Sequence, residues 1–377
     1  MTHRPRRAFA LLCTVLLLSC AAAPDETDDS DSSADADTDA DTDSDTDADT
    51  DTDSDSDADG DPDPGTPFGI NGLLHVTGTE LHNAQDYPIQ LRGMSTHGLQ
   101  WFEECVTNQS LAVLANDWGA DILRLSLYVQ EGGYEEDPAY FTALVDRYVD
   151  DLYSLGLYAL IDWHQLDPGD PNANLEMAKT YFAHMSATHG AKGHVLYDIC
   201  NEPNGVEWSD IYNYAMEIIP IIRENDPDSV IVVGTPEWAH EPDAVAGNPL
   251  PFENVLYSMH FYAADDQFEA GGQWDYTAAD NVRDALAAGI PVFVTEFGSQ
   301  EWDGDGPNDF VSTGAWLDFL AEHRISWTNW NYSDDFRSGA VWQEGTCDSG
   351  DFRDGRLKEA GAWIKERISN PPDDFGI

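Results

Sequence analysis

Basic residues are scarce in this chain of 377 residues: 17 Lys and Arg stand against 72 Asp and Glu, a formal net charge of -55. Nucleic acids and anionic membrane surfaces bind proteins largely by phosphate neutralisation, so this balance excludes both as partners. Polyanionic polysaccharides are disfavoured for the same reason, and a neutral substrate fits best. Cysteine is also sparse, five in all, with no metal-ligand spacing. No Gly-rich phosphate loop follows any early strand-like segment, which argues against a nucleotide-binding open sheet. The apolar stretch Ala8 to Leu18 is too short to span a bilayer.

That stretch follows Arg4, Arg6 and Arg7 and closes on Leu17-Leu18-Ser19-Cys20, the pattern of an export signal. It resembles a bacterial lipobox, in which the Cys becomes the lipid-modified first residue. Residues 1–19 are therefore expected to be a lipoprotein signal peptide, with Cys20 lipidated and Ala21 directing the protein to the outer membrane. Cleavage near Ala21 to Ala23 and plain secretion is the alternative. Residues 20–64 form an acidic linker in which Asp alternates with Thr, Ser and Ala; 20 acidic residues fall between Asp25 and Asp63. With little to bury and like charges in series, it is expected to be disordered and extended. Calcium loops need Gly turns, and none precedes Gly60. The fold is left to residues 65–377. Cys200 lies in an apolar run and reads as a core residue; Cys105 and Cys347 fall in loops, where an exported protein can form a disulfide.

Within 65–377 a short hairpin around Gly78 is expected to plug the amino-terminal end of the larger fold. Strand and helix signals then alternate. Strands are expected at 89–95, 121–129, 158–164, 195–201, 230–235, 255–262, 292–296 and 326–331. Helices are expected at 111–118, 140–155, 174–188, 209–224, 279–288, 313–322 and 357–368. Eight strands with helices between nearly all of them predict an α/β fold, a (β/α)8 barrel.

Polar and aromatic residues collect at the carboxyl ends of these strands, which meet at one mouth in a barrel. His97 and Trp101 follow the first strand, and Arg124 and Tyr128 lie towards the end of the second. Asp162-Trp163-His164 ends the third, Asn201-Glu202 the fourth and Glu237-Trp238 the fifth. His260 and Tyr262 end the sixth, Glu296 the seventh and Trp330 the eighth. Pro203 cannot continue a ladder, so Asn201 and Glu202 must stand at a strand tip. Two carboxylates on strand tips are what glycosidic bond hydrolysis requires. Twelve Trp and 15 Tyr exceed what core packing needs, and exposed aromatic faces suit sugar rings.

Arg124-Leu-Ser, Asp162-Trp-His164, Asn201-Glu-Pro203, His260-Phe-Tyr262, Thr295-Glu-Phe-Gly298 and Asn329-Trp330 together resemble the ordered motifs of glycoside hydrolase family 5. The segment Leu91 to Trp101 resembles its bacterial endo-β-1,4-glucanase (cellulase) branch. The likeness implies a retaining mechanism with Glu202 as general acid/base and Glu296 as nucleophile. Arg124 would be a permanent positive charge beside Glu296, and Tyr262 a hydrogen-bond donor to it. Asn201 would bind the sugar 2-hydroxyl, and His164 and His260 would line the cleft. Trp330 would floor the site before the cleaved bond; His97, Trp101 and Tyr128 would line sites towards the non-reducing end, and Trp238 the opposite side.

The expected function is hydrolysis of internal β-1,4 bonds in cellulose and related β-glucans by a monomeric enzyme. Its membrane contact would be through the lipid anchor alone, and no metal or cofactor is required. β-1,4-Mannanase or xyloglucanase activity is the nearest alternative on the same barrel. A lipid-anchored, non-catalytic polysaccharide-binding protein is another, though such a protein would have no need to retain both glutamates.

Overall fold

The computed structural model describes residues 62–268 and 278–371. The expected signal peptide with Cys20, the acidic linker as far as residue 61, and the segment around Trp274 lie outside the described residues. In the described chain eight strands, all parallel, close into a barrel. They are β1 (Arg92–Ser95), β2 (Ile122–Tyr128), β3 (Tyr158–His164), β4 (Val195–Asp198), β5 (Ile231–Val233), β6 (Val255–Tyr262), β7 (Val292–Gly298) and β8 (Trp327–Trp330). Each pairs with its successor, and β8 pairs back onto β1, so no edge is left to aggregate.

Strand periodicity sorts the side chains. On β2, Leu123, Leu125 and Leu127 join the hydrophobic shell shared with the helices, while Arg124, Ser126 and Tyr128 alternate with them on the barrel side. Trp163 of β3 likewise packs outward, against Tyr134, Tyr181 and Phe182, leaving Asp162 and His164 inside. The helix Pro138–Ser154 is started by Asp137, whose side chain accepts from the Tyr140 N–H, and ends before Gly156 at φ 66°.

The hairpin around Gly78 exists as strands His75–Thr77 and Glu80–His82, extended by Pro88–Ile89 into a small antiparallel sheet. Its Leu74, Leu81 and Ile89 form one apolar cluster with Ile122, Tyr158, Leu196 and Leu256, residues from the first turns of the barrel strands. The sheet thus plugs the amino-terminal end, and the opposite mouth stays open.

Three departures from the expected boundaries change the architecture, beyond shifts of a few residues elsewhere. Ile89 belongs to the plug, where it pairs with Leu81, and the first barrel strand starts only at Arg92. The helix expected at 111–118 is an α-helical turn at Asn108–Ala112 that passes into a π-helical turn at Val113–Asp117. The fourth strand leaves the ladder at Asp198, ahead of Pro203. Cys105 and Cys347 form a disulfide, joining the loop after β1 to the segment after β8. Cys200 is buried and free.

Candidate active site

Although β4 ends early, the chain beyond it is held in place. The Ile199 N–H donates to Val232 O at 3.0 Å and the Asn201 N–H to Trp163 O at 3.1 Å. Gly234, just past β5, permits this course, since a Cβ there would lie 2.2 Å from Cys200 O and 2.6 Å from Pro203 Cδ. Asn201 and Glu202 are thereby fixed at the barrel mouth.

Glu296 reaches the same mouth by a different device. Phe293 pairs with Ser258, and the next aligned pair is Glu296 with His260, so β7 carries an extra residue. Simple alternation from the inward Phe293 would turn Glu296 outward. The bulge brings Thr295 and Glu296 both onto the inner face, a role bulges often play beside functional sites. Oxygens of Glu202 and Glu296 and a ring nitrogen of His260 all lie within 4.8 Å of one another.

Arg124, fully buried, organises the floor of this group. Its Nη1 donates to Glu296 Oε2 at 2.8 Å, its Nε to Asp198 Oδ2 at 3.3 Å, and its Nη2 lies 3.0 Å from Asp162 Oδ2. Nη2 also donates to Asn201 Oδ1 at 2.5 Å. One guanidinium therefore faces three carboxyl groups. Asp162 and Asp198 are directly paired across β3 and β4, and each has one oxygen without a hydrogen-bond partner among the described residues. Burial is the largest cause raising the pKa of both; Glu202 adds to the rise at Asp162 and Asp162 to that at Asp198, while Arg124 pulls each the opposite way.

The remaining polar contacts depend on what each group can donate. Arg124 has no acceptor, so Asn201 must turn its Oδ1 to it, which leaves Nδ2 to donate to His164 Nε2 at 3.3 Å. His164 then carries its proton on Nδ1 and donates to Asp162 Oδ2 at 2.6 Å. Burial, with Arg124 adding to it, depresses the His164 pKa to about 3, so the ring is neutral. Tyr262 Oη donates to Glu296 Oε1 at 2.6 Å. Glu296 thus accepts from two donors, one of them charged.

Glu202 meets different surroundings. Its Oε1 lies 2.9 Å from His260 Nδ1, and the other ring nitrogen of His260 lies 2.8 Å from Thr295 Oγ1. Burial drives the His260 pKa well down, so it is a neutral partner. Burial also raises the Glu202 pKa, against opposing pulls from His164, His240 and Arg124. The two glutamates are therefore differentiated: one faces a guanidinium and a phenol, the other a neutral imidazole.

Aromatic rings line one side of the mouth without a break. Trp330 lies 5.1 Å from His97 and 5.5 Å from His164, ring centre to ring centre, and His164 stacks on Tyr128 at 4.1 Å. Tyr128 in turn lies 4.9 Å from Trp101, whose ring is 41% exposed. Trp238 is 47% exposed, and its backbone N–H donates to Pro203 O at 3.1 Å, next to Glu202. Glu237, Trp238 and Ala239 all have left-handed φ, at 53°, 58° and 60°, a strained run of the kind kept where presentation matters.

Four groups in this site are not marked by the strand-tip pattern of the sequence. Asp198 sits within the apolar run 194–200, and a carboxylate in a buried strand is its available signal. Thr295 joins His260 to Ser258 from inside the strand, one residue before its tip. His240 and Asp266 come from loops and carry no motif. Burial would lower the His240 pKa, but its ion pair with Asp266 at 3.3 Å outweighs that and raises it to about 9.

The family model described as cellulase (glycosyl hydrolase family 5) matches residues 82–336. Endoglucanase MaCel5A of Microbulbifer sp. (strain ALW1) is 53% identical over 314 residues, covering 81% of this chain and 60% of that protein. Endoglucanase E-5 of Thermobifida fusca is 48% identical over 317 residues, covering 81% of this chain and 66% of that protein. This chain thus spans about two thirds or less of those relatives. The crystal structure of the catalytic domain of Thermobifida fusca endoglucanase Cel5A superposes with a TM-score of 0.78 at 47% identity, covering 81% of this chain and 100% of that one. A variant of the same domain has been solved in complex with cellotetraose, with the same score and coverage. The matched span takes in every strand of the barrel and both glutamates at its mouth: the chain belongs to glycoside hydrolase family 5.

Proposed function

We propose that this protein is a retaining endo-β-1,4-glucanase acting on cellulose and related neutral β-glucans. The observation that carries the reading is the carboxylate pair, with oxygens of Glu202 and Glu296 within 4.8 Å of each other. Retention requires carboxyl groups about 5–5.5 Å apart, whereas inversion leaves room for a water at about 6.5–9.5 Å.

Glu296, its charge stabilised by Arg124 and Tyr262, attacks the anomeric carbon. Glu202, raised by burial, gives its proton to the departing glycosidic oxygen as that bond breaks. The product is a glycosyl ester on Glu296 and a free sugar hydroxyl. Glu202, now ionised, takes a proton from water, whose oxygen attacks the anomeric carbon and releases Glu296. Asn201 Nδ2 spends one N–H on His164 and keeps the second for the sugar 2-hydroxyl, a contact that strengthens as the ring flattens. The rings from Trp330 through His97 and Tyr128 to Trp101 receive the sugars on the non-reducing side, and Trp238 those beyond the cleaved bond.

The cellotetraose held by the Thermobifida fusca domain supports a β-1,4-glucan as the ligand class. Cys20, the residues before it and Ala21 after it support an exported lipoprotein anchored in the outer membrane. Loss of acyl labelling in Cys20→Ala tests the anchor. Reducing-sugar release from carboxymethyl cellulose, barley β-glucan, xyloglucan and galactomannan, measured in parallel, tests the specificity. Activity on the two glucans is expected. Activity confined to galactomannan or xyloglucan would move the specificity and keep the mechanism.

A further inference from the structure

The plug at the closed end of the barrel holds a cluster that the chemistry at the mouth does not use. His75 and His82 are directly paired across the two antiparallel strands, with ring centres 5.6 Å apart. Asp86 projects from the tight turn after the second strand, with a left-handed φ of 66°. That turn is built on Asn83, whose Oδ1 accepts from the N–H groups of Gln85 and Tyr87. Asp86 Oδ1 lies 3.2 Å from His75 Nε2 and 3.3 Å from His82 Nδ1. One donor atom from each of the three residues falls within a sphere where all are within 4.8 Å of one another.

We propose that His75, His82 and Asp86 form a binding site for one divalent transition-metal ion. Ligand atoms held tetrahedrally at about 2.0–2.1 Å from zinc stand about 3.3–3.4 Å apart, close to both measured separations. Two imidazoles and a carboxylate suit zinc, copper or nickel; calcium and magnesium take oxygen ligands.

A second observation concerns the far side of the His82 ring. His82 is 9% exposed, and its Nε2 has no hydrogen-bond partner among the described residues. Without a metal, a proton on Nδ1 satisfies the Asp86 carbonyl at 3.2 Å and leaves a buried lone pair idle on Nε2. A metal on Nδ1 moves the proton to Nε2, which then faces Glu80 Oε2 at 3.9 Å. Glu80 is itself held by Arg324 Nη1 at 3.0 Å. A modest closing movement then gives the carboxylate–imidazole–metal arrangement that orients histidine ligands in metal sites. The exposed edge at Asp86 leaves the fourth position to water. Lying at the plug, the ion would clip the turn to the hairpin and take no part in bond cleavage.

The test uses the full chain stripped with chelator, then titrated with Zn²⁺ by calorimetry and followed by thermal melting. One equivalent is expected to bind saturably at pH 7.5 and raise the melting temperature. Co²⁺ should give the visible absorption of a tetrahedral site. His75→Ala and Asp86→Asn should each abolish the shift; Asn tolerates the left-handed turn, so the second variant removes the ligand charge and keeps the fold. Ca²⁺ serves as the control for the acidic linker and should bind parent and variants alike. Saturable Zn²⁺ binding that survives either substitution would overturn the proposal, as would no stoichiometric uptake by the parent; the contacts would then be plain hydrogen bonds.

Discussion

Arg124 Nη1 donates to Glu296 Oε2 over 2.8 Å, from a side chain with no exposed surface, while the rest of the same guanidinium is shared between Asp162, Asp198 and Asn201. The contact sets a permanent positive charge against the proposed nucleophile and ties it to the scaffold that positions Asn201. Arg124→Lys keeps a positive charge but cannot serve all these acceptors in their fixed planes. Its kcat is expected to fall on the order of 10²–10³-fold, the usual effect of losing one preorganised donor. Arg124→Ala should in addition lower stability by about 3–5 kcal/mol, because it strands buried carboxyls. Steady-state kinetics and urea unfolding of the two variants separate these effects.

The two glutamates should fail differently. Glu296→Ala is expected to lose turnover on every substrate, since no ester can form. Glu202→Ala should keep turnover on aryl glycosides whose leaving groups need no proton, and lose it on polymer. Equal loss on both substrate types in Glu202→Ala would remove it from the acid role.

His240 offers a pH test. Burial raises the Glu202 pKa, and the positive His240 beside Asp266 pulls it back down. Because Glu202 must be protonated to act, activity falls as pH rises through its pKa. Removing the His240 charge removes a stabiliser of the Glu202 anion, so the carboxyl keeps its proton to higher pH. His240→Gln is therefore expected to move the alkaline limb of the kcat/KM profile upward. A limb that stays in place or moves down would show that His240 does not act on Glu202.

The Cys105–Cys347 bond closes a loop of 242 residues. Chain-entropy reasoning gives such a cross-link up to about 5 kcal/mol, by restricting the unfolded chain. Cys105→Ser with Cys347→Ser should lower the denaturant midpoint accordingly. The same bond joins the loops flanking the aromatic strip, so KM on long substrates should rise more than kcat falls.

Much of this arrangement is legible in the sequence, for a definite reason. Apolar runs that end in polar residues mark strand tips, and a barrel gathers all its tips at one mouth; that logic reaches Arg124, His164, His260 and Tyr262 without coordinates. It does not reveal the bulge in β7, because Val292 to Gly298 reads as an ordinary run and the extra residue appears only against its neighbours. Nor does it assign Ile89, equally apolar whether it pairs in the barrel or in the plug. His240 and Asp266 lie in loops whose course periodicity cannot fix. Asp198 is visible as a carboxylate in an apolar strand, but its pairing with Asp162 depends on a register between two strands.

The central claim is that Glu296 becomes covalently bound to sugar. Incubation with an activated 2-deoxy-2-fluoro-β-cellobioside slows breakdown of the ester and allows it to be weighed. Mass spectrometry should then show one fluorinated cellobiosyl group per chain, located on the peptide containing Glu296. A label on another residue, or none while the reagent is turned over, would contradict the mechanism.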